Sequence, residues 1–103
     1  MPGIARKSQT DTVASPDGTG AFCISPTIQA TDEGSDDVIV NGIGAVRQGD
    51  AMIPHPGPGC SPHAPTLSSF SSTVIVNGKG VGRLSDVYNG HVIISASLDV
   101  IAD

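Results

Sequence analysis

The chain has 103 residues, five Lys and Arg against ten Asp and Glu for a net charge of −5, and 13 Gly with 8 Pro. That length holds one domain, residues 1–103, and the Gly and Pro content disfavours long helices. With no Trp, one Tyr and two Phe the chain lacks a base-stacking platform, and its acidic balance argues against phosphate-backbone contacts, so nucleic acid is not an expected partner.

Along the chain, no apolar run follows Arg6-Lys7, so the expectation is synthesis in the cytoplasm without a signal peptide. No apolar stretch approaches the roughly 18 residues needed to span a bilayer. The two cysteines, Cys23 and Cys60, permit one disulfide at most, and without a secretory signal a metal role is the better reading for at least one of them. Cys23, in Ala21-Phe22-Cys23-Ile24, reads as a small buried hydrophobe, with a ligand role as the alternative. The acidic run Asp32-Glu33-Gly34-Ser35-Asp36-Asp37 reads as a solvated loop, because a calcium loop needs a tighter ligand pattern with a bidentate Glu.

Residues 38–55, VIVNGIGAVRQGDAMIPH, then recur as residues 74–91, VIVNGKGVGRLSDVYNGH, at an offset of 36 with nine of eighteen positions identical. Val-Ile-Val predicts a short strand. Asn-Gly predicts a type I′ turn, which needs positive φ at both central residues. The residues after it predict the return strand, and Arg three residues before Asp (Arg47/Asp50, Arg83/Asp86) predicts a polar corner. A third copy is split across the chain. SLDVIAD (97–103) fits SDDVIVN and SSTVIVN, while GIARKSQTD (3–11) fits the second half, with Arg6 at the arginine position and Asp11 at the aspartate. The prediction is three short β-hairpins in a closed ring with pseudo-threefold symmetry, the third completed by the first and last strands.

All three histidines and one cysteine fall in or beside the second half of a repeat. His55, Cys60 and His63 share the Pro-rich segment HPGPGCSPH, which predicts a stiff loop that presents side chains, and His91 is the repeat equivalent of His55. Zinc takes imidazole nitrogen and thiolate sulfur in closed tetrahedral structural sites. The candidate metal ligands are therefore His55, Cys60, His63 and His91. Three imidazoles and a thiolate leave no position for an activated water, so the implied Zn2+ is structural, with iron the lesser alternative. The N-terminal copy has Pro16 at the position of His55 and His91 and is expected to supply no ligand.

VNGxxxxRxxD used twice and split once across the termini, with a His/Cys cluster at the ends of the units, resembles the PAAR-repeat proteins, the tips of contractile phage tails, pyocins and type VI secretion machines. The copies here are degenerate: Gly44-Ala45-Val46-Arg47-Gln48-Gly49-Asp50, Gly80-Val81-Gly82-Arg83-Leu84-Ser85-Asp86 and Pro2-Gly3-Ile4-Ala5-Arg6. The resemblance implies a small all-β cone with its metal near the apex and its base on a trimeric β-helical spike, one tip per trimer. It implies a non-enzymatic part that caps and sharpens the spike and meets the target cell envelope, placed at a virion tail tip or a secreted spike apex. An effector adaptor is the alternative. A small zinc hydrolase is a weaker one, since no HExxH is present and no carboxylate lies inside HPGPGCSPH.

Overall fold

In the computed structural model, which describes residues 1–103, each of the three Asn-Gly pairs turns an antiparallel hairpin. Asn41-Gly42 joins β3 (Ile39–Val40) to β4 (Ile43–Gly44), and Asn77-Gly78 joins β7 (Ile75–Val76) to β8 (Lys79–Gly80). Asn89-Gly90 joins β9 (Val87–Tyr88) to β10 (His91–Ile93). All six residues have positive φ, from 46° at Asn89 to 91° at Gly90. Asn and Gly reach that region at low cost, and the turn's twist matches that of the strands.

The first and last residues pair as the split repeat predicts. Gly3 bridges Ile101, Ile4 donates to the Val100 carbonyl and Ala102 to that of Pro2. The three return segments then meet in a closed cycle: Ala5 N–H donates to Gly82, Gly82 to Val46 and Val46 to Ala5, at 2.9, 2.8 and 3.0 Å. A second cycle runs beside it, with Lys7 donating to Gly44, Gln48 to Gly80 and Leu84 to Gly3. Close approach at this point requires glycine. A Cβ on Gly3, Gly44 or Gly80 would run into the carbonyl oxygen of Ser97, Ser35 or Ser71. Those buried serines use their hydroxyls in turn to accept from the amides three residues on, at Val100, Val38 and Val74.

The polar corners are also alike. Arg6–Asp11, Arg47–Asp50 and Arg83–Asp86 each make a two-pronged ion pair, and the same Asp accepts the Arg backbone N–H. The hydrogen bond from each Arg to its Asp holds the guanidinium pKa above its ordinary value, although burial opposes this. Buried apolar side chains form two clusters. Ile4, Val40, Ala45, Val76, Val81 and Ala102 form one, and Ala5, Val13, Val46, Met52, Leu67, Tyr88 and Ile93 form the next.

The fold is all-β with several small antiparallel sheets, but the largest sheet is absent from the hairpin pattern of the sequence. It has the order β2-β1-β10-β9, with β1 at Thr12–Thr19 and β2 at Ser25–Ala30. Pro16, Gly18 and Pro26 read as strand breakers. They are accommodated by a register shift between Ser15 and Thr19 and by the edge position of β2. Beside this sheet β5 (His55–Pro56) pairs with β6 (Pro62–His63). Two single-turn 3₁₀ segments, Ala21–Cys23 and Pro58–Cys60, lie in the short β1–β2 and β5–β6 connections and pack together.

Candidate metal centre

Strand alternation aims β1 at the site. Val13, Ser15 and Asp17 are buried while Pro16 between them is exposed, so the face that starts in the apolar core continues to a carboxylate. β5 and β6 set His55 directly across from His63, and β10 begins with His91 next to β1. Gly57 lets the loop backbone lie against the His63 ring, since a Cβ there would come within 3.0–3.1 Å of three ring atoms.

Four ligand atoms converge. His55 Nε2 lies 2.8 Å from Asp17 Oδ1, 3.1 Å from His91 Nε2 and 2.9 Å from His63 Nε2. Asp17 Oδ1 is 3.3 Å from His63 Nε2 and 3.2 Å from His91 Nε2. Metal–nitrogen bonds of about 2.0–2.1 Å would give a tetrahedron with edges of about 3.3 Å, so this cluster has the dimensions of a four-coordinate donor set. Asp17, His55 and His91 are buried and His63 is partly exposed.

The orientation of the rings favours a cation at the centre. His55 Nδ1 donates to the Ile53 carbonyl at 2.9 Å and His91 Nδ1 to that of Tyr88 at 3.0 Å. A carbonyl can only accept, so these bonds leave both Nε2 lone pairs facing each other and the Asp17 carboxylate. Converging acceptors in a buried place repel unless a positive charge lies among them. Burial pushes the Asp17 carboxyl up, but the Ser15 hydroxyl, and the His63, His91 and His55 ring nitrogens when they carry protons in the absence of an ion, outweigh it and lower the pKa to about 2. The Ser15 hydroxyl donates to Asp17 Oδ1 at 2.9 Å and orients it. The residues present therefore fit a metal ion and could hold one, with a donor set of three imidazoles and a carboxylate.

Of the four residues expected as ligands, the structure gathers His55, His63 and His91 and leaves Cys60 out. Cys60 is instead bonded to Cys23 as a disulfide. This corrects three expectations. The fourth donor is Asp17, the N-terminal copy does contribute to the group, and Cys23 is a half-exposed disulfide partner rather than a buried hydrophobe. The reasons are local. Cys60, at φ 67° in the Pro58–Cys60 turn, meets the turn of Ala21–Cys23 and not the histidines. Asp17 sits one residue past Pro16, the position equivalent to His55. The alternation Val13, Ser15, Asp17 was the signal that could have found it. A carboxylate in place of a thiolate also makes the donor set harder, so a preference for zinc would rest on the imidazoles and the coordination number.

An open surface pocket of about 450 Å³ lies elsewhere, with no hydrophobic residue in a lining that includes Lys7, Ser8, Asp32, Glu33, Asp36 and Arg47. In the acidic loop beside it Glu33, Asp36 and Asp37 are exposed and Ser35 is buried, with Lys7 paired to Asp36 at 2.7 Å. No family model matches the chain, and no curated protein sequence matches it.

Proposed function

We propose that the protein is a PAAR-like, non-enzymatic spike tip of a contractile injection machine, stapled by one structural metal ion. The observation that carries this reading is the closed cycle Ala5–Gly82–Val46, which joins three copies of one hairpin. We read the cycle as pseudo-threefold symmetry and the elongated body, 39 × 23 × 22 Å, as compatible with a cone. A single chain with three similar faces can meet a true trimer at three similar contacts. The side chains suited to that contact are Ile39, Ile75 and Ile101, which occupy equivalent positions and are all exposed. The partner is then a trimeric β-helical spike, one tip per trimer.

The metal has a clear physical task in such a part. A narrow end cannot build a hydrophobic core, and a metal joins chain segments where burial cannot. Structural zinc contributes on the order of 10 kcal/mol in small domains. Zn2+ is the proposed ion and iron the alternative. Four protein donors fill a tetrahedral site, which suits a staple more than a hydrolytic centre. The Cys23–Cys60 disulfide is a bond that persists outside the cytoplasm, which suits a tail tip or a secreted spike apex meeting a cell envelope.

Co-expression with a trimeric β-helical spike protein tests the reading. The expected complex has one chain per trimer, and Ile39→Asp with Ile75→Asp and Ile101→Asp should abolish it while the metal stays bound. A one-to-one complex, or one indifferent to the three isoleucines, would refute the assignment. Metal analysis of the purified protein should return one ion per chain.

A further inference from the structure

The chain holds three Asn-Gly pairs, Asn41-Gly42, Asn77-Gly78 and Asn89-Gly90, and the backbone treats them alike. Each turns a two-residue hairpin loop at positive φ, each pair is exposed, and a Cβ added at any of the three glycines would meet nothing. Asn-Gly is open to loss of the side-chain amide, because glycine has no Cβ to shield its nitrogen from the neighbouring carboxamide. Three such turns should react alike unless their side chains differ.

The side chains do differ. Asn41 Oδ1 accepts from the Ser97 hydroxyl at 2.6 Å and from Arg6 Nη1 at 3.3 Å, and its Nδ2 donates to Asp99 Oδ1 at 2.9 Å. Asn77 repeats this with Ser35 at 2.6 Å, Arg47 at 3.1 Å and Asp37 at 2.9 Å. The Asn89 carboxamide has no hydrogen-bond partner within the chain. Only its backbone is engaged, the N–H donating to the Ser68 hydroxyl at 3.1 Å and the carbonyl accepting from His91 Nδ1 at 3.3 Å. The contrast has its origin in the repeat. Asn41 and Asn77 hold the same place in two copies, and each reaches the serine turn and the Arg of a neighbouring copy. Asn89 stands where the other copy has Ile53, so no partner is provided for it.

We propose that Asn89 is the site at which this chain deamidates, and that the change reaches His91. The Gly90 backbone nitrogen attacks Asn89 Cγ, so that an N–Cγ bond forms and the Cγ–Nδ2 bond breaks. The Gly90 amide proton passes through solvent to Nδ2, which leaves as ammonia. Water then opens the succinimide. Addition at Cγ gives aspartate, and addition at the main-chain carbonyl gives isoaspartate, whose main chain runs through Cβ and Cγ. A carboxamide that is already held must first leave its partners to be attacked, and hydrogen bonds to charged groups are the stronger ones. In isoaspartate the former Asn89 carbonyl, an acceptor for His91 Nδ1, becomes a free carboxylate on a lengthened turn. The other acceptor of that nitrogen, the Tyr88 carbonyl, lies on the far side of the same turn, so the His91 ring loses its setting. The new carboxylate is also the first formal charge within residues 87–98. The reaction needs neither an ion nor a partner protein.

Peptide mass mapping of the purified protein, aged in mildly alkaline buffer, tests this. The amide-to-acid mass gain should accumulate at Asn89 roughly tenfold or more faster than at Asn41 or Asn77, and in urea the three rates should converge. Asp37→Ala removes an exposed acceptor and should raise the rate at Asn77 while leaving Asn89 as it was. Asn89→Gly suits the turn, so it should keep its Tm and lack the fast site. The isoaspartyl form, separated by charge, should melt below the fresh protein. Equal rates at the three asparagines of the folded protein, a rate order that persists in urea, or an isoaspartyl form with the Tm of fresh protein would overturn the proposal.

Discussion

The two ends of this molecule are built on different principles. The body is a charged repeat: three Arg–Asp corners, three serine turns and two cycles of backbone hydrogen bonds, made from two sequence-local hairpins and a third copy whose halves are the two ends of the chain. The other end carries no exposed formal charge and, apart from the matched His55 and His91, repeats nothing. It is held by groups far apart in sequence, with Asp17 meeting His91 and Cys23 meeting Cys60. The body stays together through many redundant contacts, and the opposite end through a few strong ones. Perturbations should therefore be shared out in the first and concentrated in the second.

The largest effect should come from the ligand group. His91→Ala, or chelation of the proposed ion, should cost on the order of 10 kcal/mol and lower Tm by tens of degrees, at about 4–8 °C per kcal/mol for a domain of this size. A Tm indifferent to chelator would remove the staple from the account. Next is the disulfide. It spans 37 positions, and replacing both cysteines with serine should cost about 4 kcal/mol from loop closure. Metal content should survive that change, because Cys60 is not a ligand. Its loss would instead point to a thiolate in the donor set. In the body, Arg47→Ala leaves the buried Asp50 carboxylate without its partner and should cost about 3 kcal/mol, read by urea unfolding, with metal content unchanged.

Two smaller tests sharpen the contrast. The folded pKa of Asp17 lies at about 2 against an ordinary 3.8. A depressed carboxylate stabilises the fold above its ordinary value and loses that contribution as pH falls through the folded one. Asp17→Asn should therefore flatten the stability profile of the metal-free protein between about pH 4 and pH 2. Tyr88 is buried among apolar side chains and its hydroxyl has no hydrogen-bond partner. Burial, then the Asp50, Asp11 and Asp32 charges, push its phenol above the ordinary range. Tyr88→Phe should be neutral or stabilising by up to about 1 kcal/mol in thermal unfolding.

How much of this was legible in the sequence follows the same division. The hairpins at Asn41-Gly42 and Asn77-Gly78, the corners Arg47–Asp50 and Arg83–Asp86, and the pairing of the first and last strands could all be read, because each rests on turn chemistry or on a spacing that recurs. His55 and His91 could be matched because they hold the same place in two copies. Asp17 was missed because the reading stopped at Pro16, although strand alternation from Val13 leads to its neighbour. The Cys23–Cys60 bond was misread because the proximity of two turns 37 positions apart depends on the long β1–β2 hairpin. That hairpin was itself hidden by Pro16, Gly18 and Pro26.

The cycle that joins Ala5, Gly82 and Val46 makes the order of the copies immaterial to the packing. Because Pro2 and Ala102 are already hydrogen-bonded neighbours, a short linker between the present ends and a cut at Asn77-Gly78 would give a rearranged polypeptide with every strand still beside its old partners. Such a circular permutant should fold, keep Asp17, His55, His63 and His91 together and differ mainly in which hairpin is left open.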